Sequence, residues 1–116
     1  MTDEYASADD LEAGDLDLDG EDLRLPSGRL VRVRGLSRFE LMLNGKGTDD
    51  AMVIEQRNVA TCLVVPAMTL SKVGAWQRKS SAGGDFAALS GKIRDLSGLG
   101  EGAGKSDLAA DGDDGA

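Results

Sequence analysis

The charge of this chain is sorted along its length, and that sorting decides where a fold can form. Residues 1–22 hold ten acids and no base, residues 23–97 hold twelve bases against six acids, and residues 98–116 hold five acids and one lysine. The formal charge of −8 therefore averages a body at +6 with flanking arms at −10 and −4. Like charges with little apolar content keep a segment extended. Residues 1–22 are accordingly predicted as a disordered acidic arm and 99–116 as a flexible Gly/Asp-rich tail. The folding unit is residues 23–98, one domain at most. A domain this small buries about 60% of its chain surface and is only marginally stable alone, so contact with a partner would help it.

Structure is expected to begin at "LRLPSGRLVRVRGL", where Leu23–Leu25 and Arg29–Arg34 flank the turn chemistry of Pro26-Ser27-Gly28. Alternation in the second arm puts Val31 and Val33 on one face and Arg32 and Arg34 on the other. A short helix follows in "SRFELMLNGKG": Ser37 and Glu40 have capping-box spacing, Phe39, Met42 and Leu43 form an apolar edge, and Asn44-Gly45 closes it. Thr48 is positioned to cap a helix over about 49–64, in which Met52, Val59 and Leu63 line up beside Val53, Ala60 and Val64, and Pro66 ends it. Thr69 caps a third helix, about 70–80, presenting Leu70, Val73 and Trp76. Asp85 is read as the cap of a fourth, whose Phe86, Leu89, Ile93 and Leu96 fall in a narrow arc with Lys92, Arg94 and Asp95 outside it. The expected fold class is α+β, a small N-terminal β-hairpin followed by about four short α-helices, with disordered acidic termini. With Phe39, Trp76 and Phe86 as the aromatics of the body, Leu, Val, Met and Ala must supply most of the core.

Two stretches invite sharper readings, and both fail on spacing. In "DLDLDGED", Asp15, Asp17, Asp19 and Gly20 match the first half of an EF-hand calcium loop. The twelfth position, which needs a bidentate carboxylate, is Pro26. In "GEGAGKSD", Gly104-Lys105-Ser106 ends like a phosphate loop, but the first glycine of that motif falls on Leu99. Catalysis has little to draw on. The chain contains no histidine, the side chain best suited to proton transfer near neutral pH. Cys62 sits in a helical pattern and reads as a packed thiol. No cluster of Cys, His or spaced carboxylates recommends a metal, so no cofactor, metal or catalytic residue is assigned. The chain is read as not an enzyme.

A single cysteine suits a reducing compartment, the acidic N-terminus lacks the apolar core of a secretory signal, and no apolar run reaches the roughly 20 residues of a membrane span. The expectation is a soluble cytoplasmic protein without membrane partners. Arginines 24, 29, 32, 34 and 38 could track phosphates, but the acidic arms repel a duplex. Nucleic acid is therefore the weaker of two function classes. An intermediate reading pairs the arginine face with the acidic arms or an acidic partner.

Three segments carry a family resemblance: "LPSGRLVRVRGLSRFE", "EQRNVATCLVVPAMTLSKVGAWQ" and "IRDLSGLGEGAGKS". Together they span Leu23 to about Asp107, about three-quarters of the chain. This region resembles the tail assembly chaperones of long-tailed (siphovirus-type) bacteriophages, particularly those from phages and prophages of actinobacteria. The first segment resembles the family's strand–turn–strand, R-G-L, helix opening, and the second its helix–Pro–helix centre with a Trp. The third, the most specific, resembles its I-x-x-L-S-G-x-G-x-G-x-x-K-S close. The chain departs from the family in having Val65 before the central proline instead of Asp, and a basic third helix. The resemblance implies a cytoplasmic protein of the infected or lysogenic bacterium that binds the tape measure protein and keeps it soluble. It also implies help for tail tube protein polymerising around the tape measure, loss before virion morphogenesis is complete, and often a longer form of the chaperone made by programmed frameshift. Leu70, Val73, Trp76, Phe86, Leu89, Ile93 and Leu96 are the expected partner-binding residues, with filling the domain's own core as the competing role.

Overall fold

The computed structural model describes residues 5–99. Its elements are α1 (Ala8–Ala13), β1 (Glu21–Arg24), β2 (Leu30–Val33), α2 (Arg38–Asn44), α3 (Ala51–Cys62), β3 (Leu63–Val65), α4 (Leu70–Lys79) and α5 (Asp85–Leu96). The class is α+β: a three-stranded antiparallel sheet in the order β1-β2-β3, with the helices packed about it. Among the described residues no helix is long and apolar enough to cross a membrane.

The hairpin forms where the turn residues place it. Leu25 and Arg29 close a three-residue loop, with the Leu25 N–H donating to the Arg29 carbonyl and the Gly28 N–H to the Leu25 carbonyl, both at 2.8 Å. Gly28 holds the left-handed conformation (φ 94°) that such a loop requires. Leu23 pairs with Val31 and Glu21 with Val33. The alternation of β2 buries Val31 and Val33 and turns Arg32 outward.

A third strand replaces the expected last turn of the second helix. α3 stops at Cys62, and Leu63–Val65 pair with β2 through Val33↔Leu63 and Arg32↔Val65, with an irregularity between the two pairs. Two physical reasons favour this. Val64 and Val65 are β-branched and Val65 precedes Pro66, so helix is disfavoured there. The open edge of β2 also needs backbone partners, and the Arg34 N–H continues the pairing onto the Cys62 carbonyl at 3.0 Å.

The caps are mixed. Ser37 and Glu40 form the full capping box, and the Thr69 hydroxyl accepts from the Lys72 N–H. The helix expected from Thr48 is instead capped by Asp50, and Thr48 accepts from the Asp50 N–H. Gly84 stands at the N-cap of α5, because the Asp85 carboxylate is occupied by the hairpin turn. The Ser27 hydroxyl donates to it at 2.6 Å and the Ser27 N–H at 3.0 Å. Those donors hold Asp85 below the usual carboxylate range and tie the loop to the start of α5.

Leu25, Val31, Val33, Leu36, Val59, Cys62, Leu63, Val73, Phe86, Leu89 and Ile93 form the core. Trp76 meets Phe86 edge to face, with ring centroids 5.0 Å apart. Phe39 takes no part in it.

The acidic N-terminal arm differs from expectation between residues 5 and 22. Ser7 caps α1 by accepting from the Asp10 N–H, and the first turn carries Asp9 and Asp10, which suit a helix N-terminus. β1 begins within the stretch read as disordered, at Glu21. No residue of α1 is buried. The tail from residue 100 onward, with Gly104-Lys105-Ser106, lies outside the described residues.

Candidate functional site

α2 is held at both ends by polar groups, and this determines which way its apolar edge faces. At its N-terminus the Glu40 N–H donates to the Ser37 hydroxyl, and the Ser37 N–H donates back to the Glu40 carboxylate, each at 3.0 Å. Arg34, just beyond β2, donates to both oxygens of the same carboxylate at 2.9 Å, the two-pronged geometry that makes such pairs strong and directional. This fork, with the Ser37 contacts, outweighs partial burial and lowers the Glu40 pKa to about 2. The Arg34 pKa is raised, its bond to Glu40 being the largest cause.

At the other end Asn44 is buried. Its amide donates to the Asn58 side-chain oxygen at 2.9 Å and to the Thr61 hydroxyl at 3.2 Å, while Arg57 donates to its backbone carbonyl at 3.0 Å. Positions 40, 41 and 44 share one side of a helix. With Glu40 fixed by Arg34, Asn44 fixed to α3 and Leu41 packed on the core, the opposite side must face outward. That side carries Phe39, Met42 and Leu43, which are 73%, 60% and 50% exposed. The apolar edge expected of this helix exists, but it points into solvent.

Most of the expected partner-binding residues are placed differently. Val73, Phe86, Leu89 and Ile93 are at most 4% exposed, and Trp76 and Leu96 pack partly buried against them. These side chains fill the domain's own core, which corrects their reading as a contact surface. The same amphipathic period serves a core or a partner, and here the domain's own core takes it, with α4 and α5 packed chiefly on α3. Of that set Leu70 alone stands outward, at 48% exposure.

The arginine face is largely engaged within the chain. Arg32 donates to the Asp19 and Gly20 carbonyls at 3.1 and 3.0 Å and pairs with Asp22 at 3.1 Å. Arg24 donates to the Gly28 carbonyl, and Arg34 serves Glu40. Pairing of this face with the acidic arm is therefore present through Arg32. Asp17, one of the near-calcium-loop acids, accepts from the Asp19 N–H in a local turn. Cys62 is fully buried, and burial pushes its thiol up to about 12.

Two separated sequence segments meet behind α2. The Leu36 N–H donates to the Ser97 hydroxyl at 2.8 Å, and Gly35 lies against the Leu96 and Ser97 backbone. A cleft of about 690 Å³ opens beside this junction, walled by Leu36, Leu41, Leu96 and Leu99, with Leu16 of the acidic arm laid along it. No protein-family model, curated protein sequence or solved structure matches this chain.

Proposed function

We propose that this chain is a non-enzymatic tail assembly chaperone of a long-tailed bacteriophage. It acts in the cytoplasm of the infected or lysogenic cell, binds the tape measure protein, keeps it soluble and promotes tail tube polymerisation around it. The observation that carries this reading is the α2 edge. Phe39, Met42 and Leu43 offer an apolar stripe to solvent, on a helix whose orientation is fixed by the Arg34–Glu40 fork and the Asn44 contacts. Such a stripe suits capture of an amphipathic helix from a partner. The acidic arm keeps the chaperone itself in solution. The resemblance of "LPSGRLVRVRGLSRFE" and its companion segments supplies the identity of the client. The nucleic-acid alternative has less in its favour, since Arg24, Arg32 and Arg34 are already bonded within the chain.

Co-expression with the tape measure protein of the same genome tests the proposal. The wild-type chain is expected to raise the soluble fraction of that protein and to co-purify with it. Phe39→Asp and Leu43→Asp are expected to reduce both several-fold while leaving the circular dichroism spectrum unchanged. If the wild-type chain leaves the client insoluble, the chaperone reading is wrong. If the variants capture it as well as wild type does, the stripe is the wrong surface.

A further inference from the structure

The acidic arm carries unpartnered apolar side chains of its own. Tyr5, Leu11 and Leu18 are 81%, 72% and 65% exposed. Around them stand Asp9, Asp10, Glu12, Asp15, Asp17 and Asp19, with no base. The α2 stripe is the complement of this arrangement. Its apolar edge is bracketed by exposed Arg38 at the start of the helix and exposed Lys46 just past its end. Neither is in an ion pair among the described residues. The one acid of α2, Glu40, is committed to Arg34.

Little holds α1 to its own body. Gly14, with φ 74°, caps its C-terminus, its N–H donating to the Leu11 carbonyl. Leu16 is half-buried in the cleft, and firm anchoring begins where Arg32 grips the Asp19 and Gly20 carbonyls and the Asp22 carboxylate. In this arrangement the arm passes the Arg38 end of α2, yet both apolar sets stay exposed.

We infer that the chain self-associates, with the arm of one copy, residues 5–18, lying along the Arg38–Lys46 stripe of a second copy. Leucines of the arm cover Phe39, Met42 and Leu43, and its carboxylates approach Arg38 and Lys46. Because the two patches are dissimilar, the contact is heterologous and can propagate or close by exchange. The inference requires no tape measure protein. A client that uses the same stripe competes with it.

Sedimentation velocity of the full chain, without client, provides the test. Wild type is expected to associate with rising concentration. The apparent affinity is expected to weaken about tenfold or more between low and roughly 0.5 M salt, where the screening length falls to a few ångströms. Phe39→Asp, with an unchanged circular dichroism spectrum, and separately a chain lacking residues 1–14, whose spectrum loses only the contribution of α1, are each expected to be monomeric, since Phe39 is exposed and no residue of α1 is buried. Mixed together, they should form a 1:1 dimer, because one supplies an intact arm and the other an intact stripe. A wild-type monomer at millimolar concentration in low salt would overturn the inference. So would association that survives Phe39→Asp, which would place the arm or the contact elsewhere, or failure of the two variants to complement. Client capture is measured separately in the co-expression experiment, so either proposal can fail alone.

Discussion

Gly35→Ala is expected to be a strongly damaging single-methyl change in the folded unit. A Cβ built on Gly35 lies 2.5 Å from the Leu96 carbonyl oxygen, 2.6 Å from its carbon and 2.8 Å from the Ser97 nitrogen. Comfortable contacts fall at about 3.5–4.0 Å. All three obstructing atoms are backbone, so relief requires the exit of β2 or the end of α5 to move by roughly 1 Å. That movement strains the Leu36 N–H to Ser97 hydroxyl bond of 2.8 Å, which the same hydroxyl secures by donating to the Ile93 carbonyl at 2.6 Å. Overpacking of this kind costs about 1–3 kcal/mol and the weakened bond about 1 kcal/mol more, giving about 2–4 kcal/mol. In a domain of this size that lowers Tm by roughly 10 °C or more. Gly91→Ala supplies the control. It lies exposed within α5 with nothing within 4 Å of the added carbon, so it should stabilise by about 0.5–1 kcal/mol through helix propensity and the unfolded chain. Urea unfolding followed by circular dichroism reads both. If Gly35→Ala unfolds within about 0.5 kcal/mol of wild type, or if both alanines shift stability in the same direction, the close approach of strand exit and helix end is not what holds α5 in place.

Two further expectations concern ionisable groups. Glu40 has a folded pKa of about 2 against an ordinary 4.5. Its contribution is fully present above about 4.5 and is lost as pH falls through about 2. The stability gap between wild type and Glu40→Gln, measured by urea unfolding, should therefore be widest near neutral pH and shrink across that acid window; a gap that does not vary with pH would remove the Arg34–Glu40 fork as its source. Cys62, with its thiol raised from 9.0 to about 12, should resist a thiol reagent at pH 8 in the folded protein by about a thousandfold on thiolate fraction alone. Rapid labelling without denaturant would contradict its burial.

The hairpin, the capping box and the apolar arc of α5, though not what that arc packs against, were legible because each is local. Pro26-Ser27-Gly28 specifies its own turn, Ser37 finds Glu40 three residues away, and Phe86, Leu89 and Ile93 repeat at helical spacing. The third strand was not, because what draws Leu63–Val65 out of the helix is the unfilled edge of β2, some thirty residues earlier. Asp85 was misassigned for the same reason. As a helix-start residue it fits a cap, yet its oxygens meet Ser27, 58 positions away. The arm was read from charge alone, which misses the Ser7 cap and the grip of Arg32 on Asp19–Asp22.

The candidate site shows why polarity by itself misplaces a helix face. On α2 two sets of side chains compete for the interior: Phe39, Met42 and Leu43 against Glu40, Leu41 and Asn44. Hydrophobicity favours the first set, whose burial gains about 1.5–3 kcal/mol per large side chain. The second set prevails because Arg34, Asn58 and Thr61 supply partners in place of the water that Glu40 and Asn44 surrender. Those partners come from β2's exit and from α3, elements whose placement the α2 sequence cannot reveal. A carboxylate and an amide side chain turned inward, each held by partners within the chain, leave an apolar edge outward on a helix that cannot rotate to hide it. That fixed exposure is a better guide to a binding surface than the amphipathic period of α4 or α5, whose apolar arcs the core has already taken.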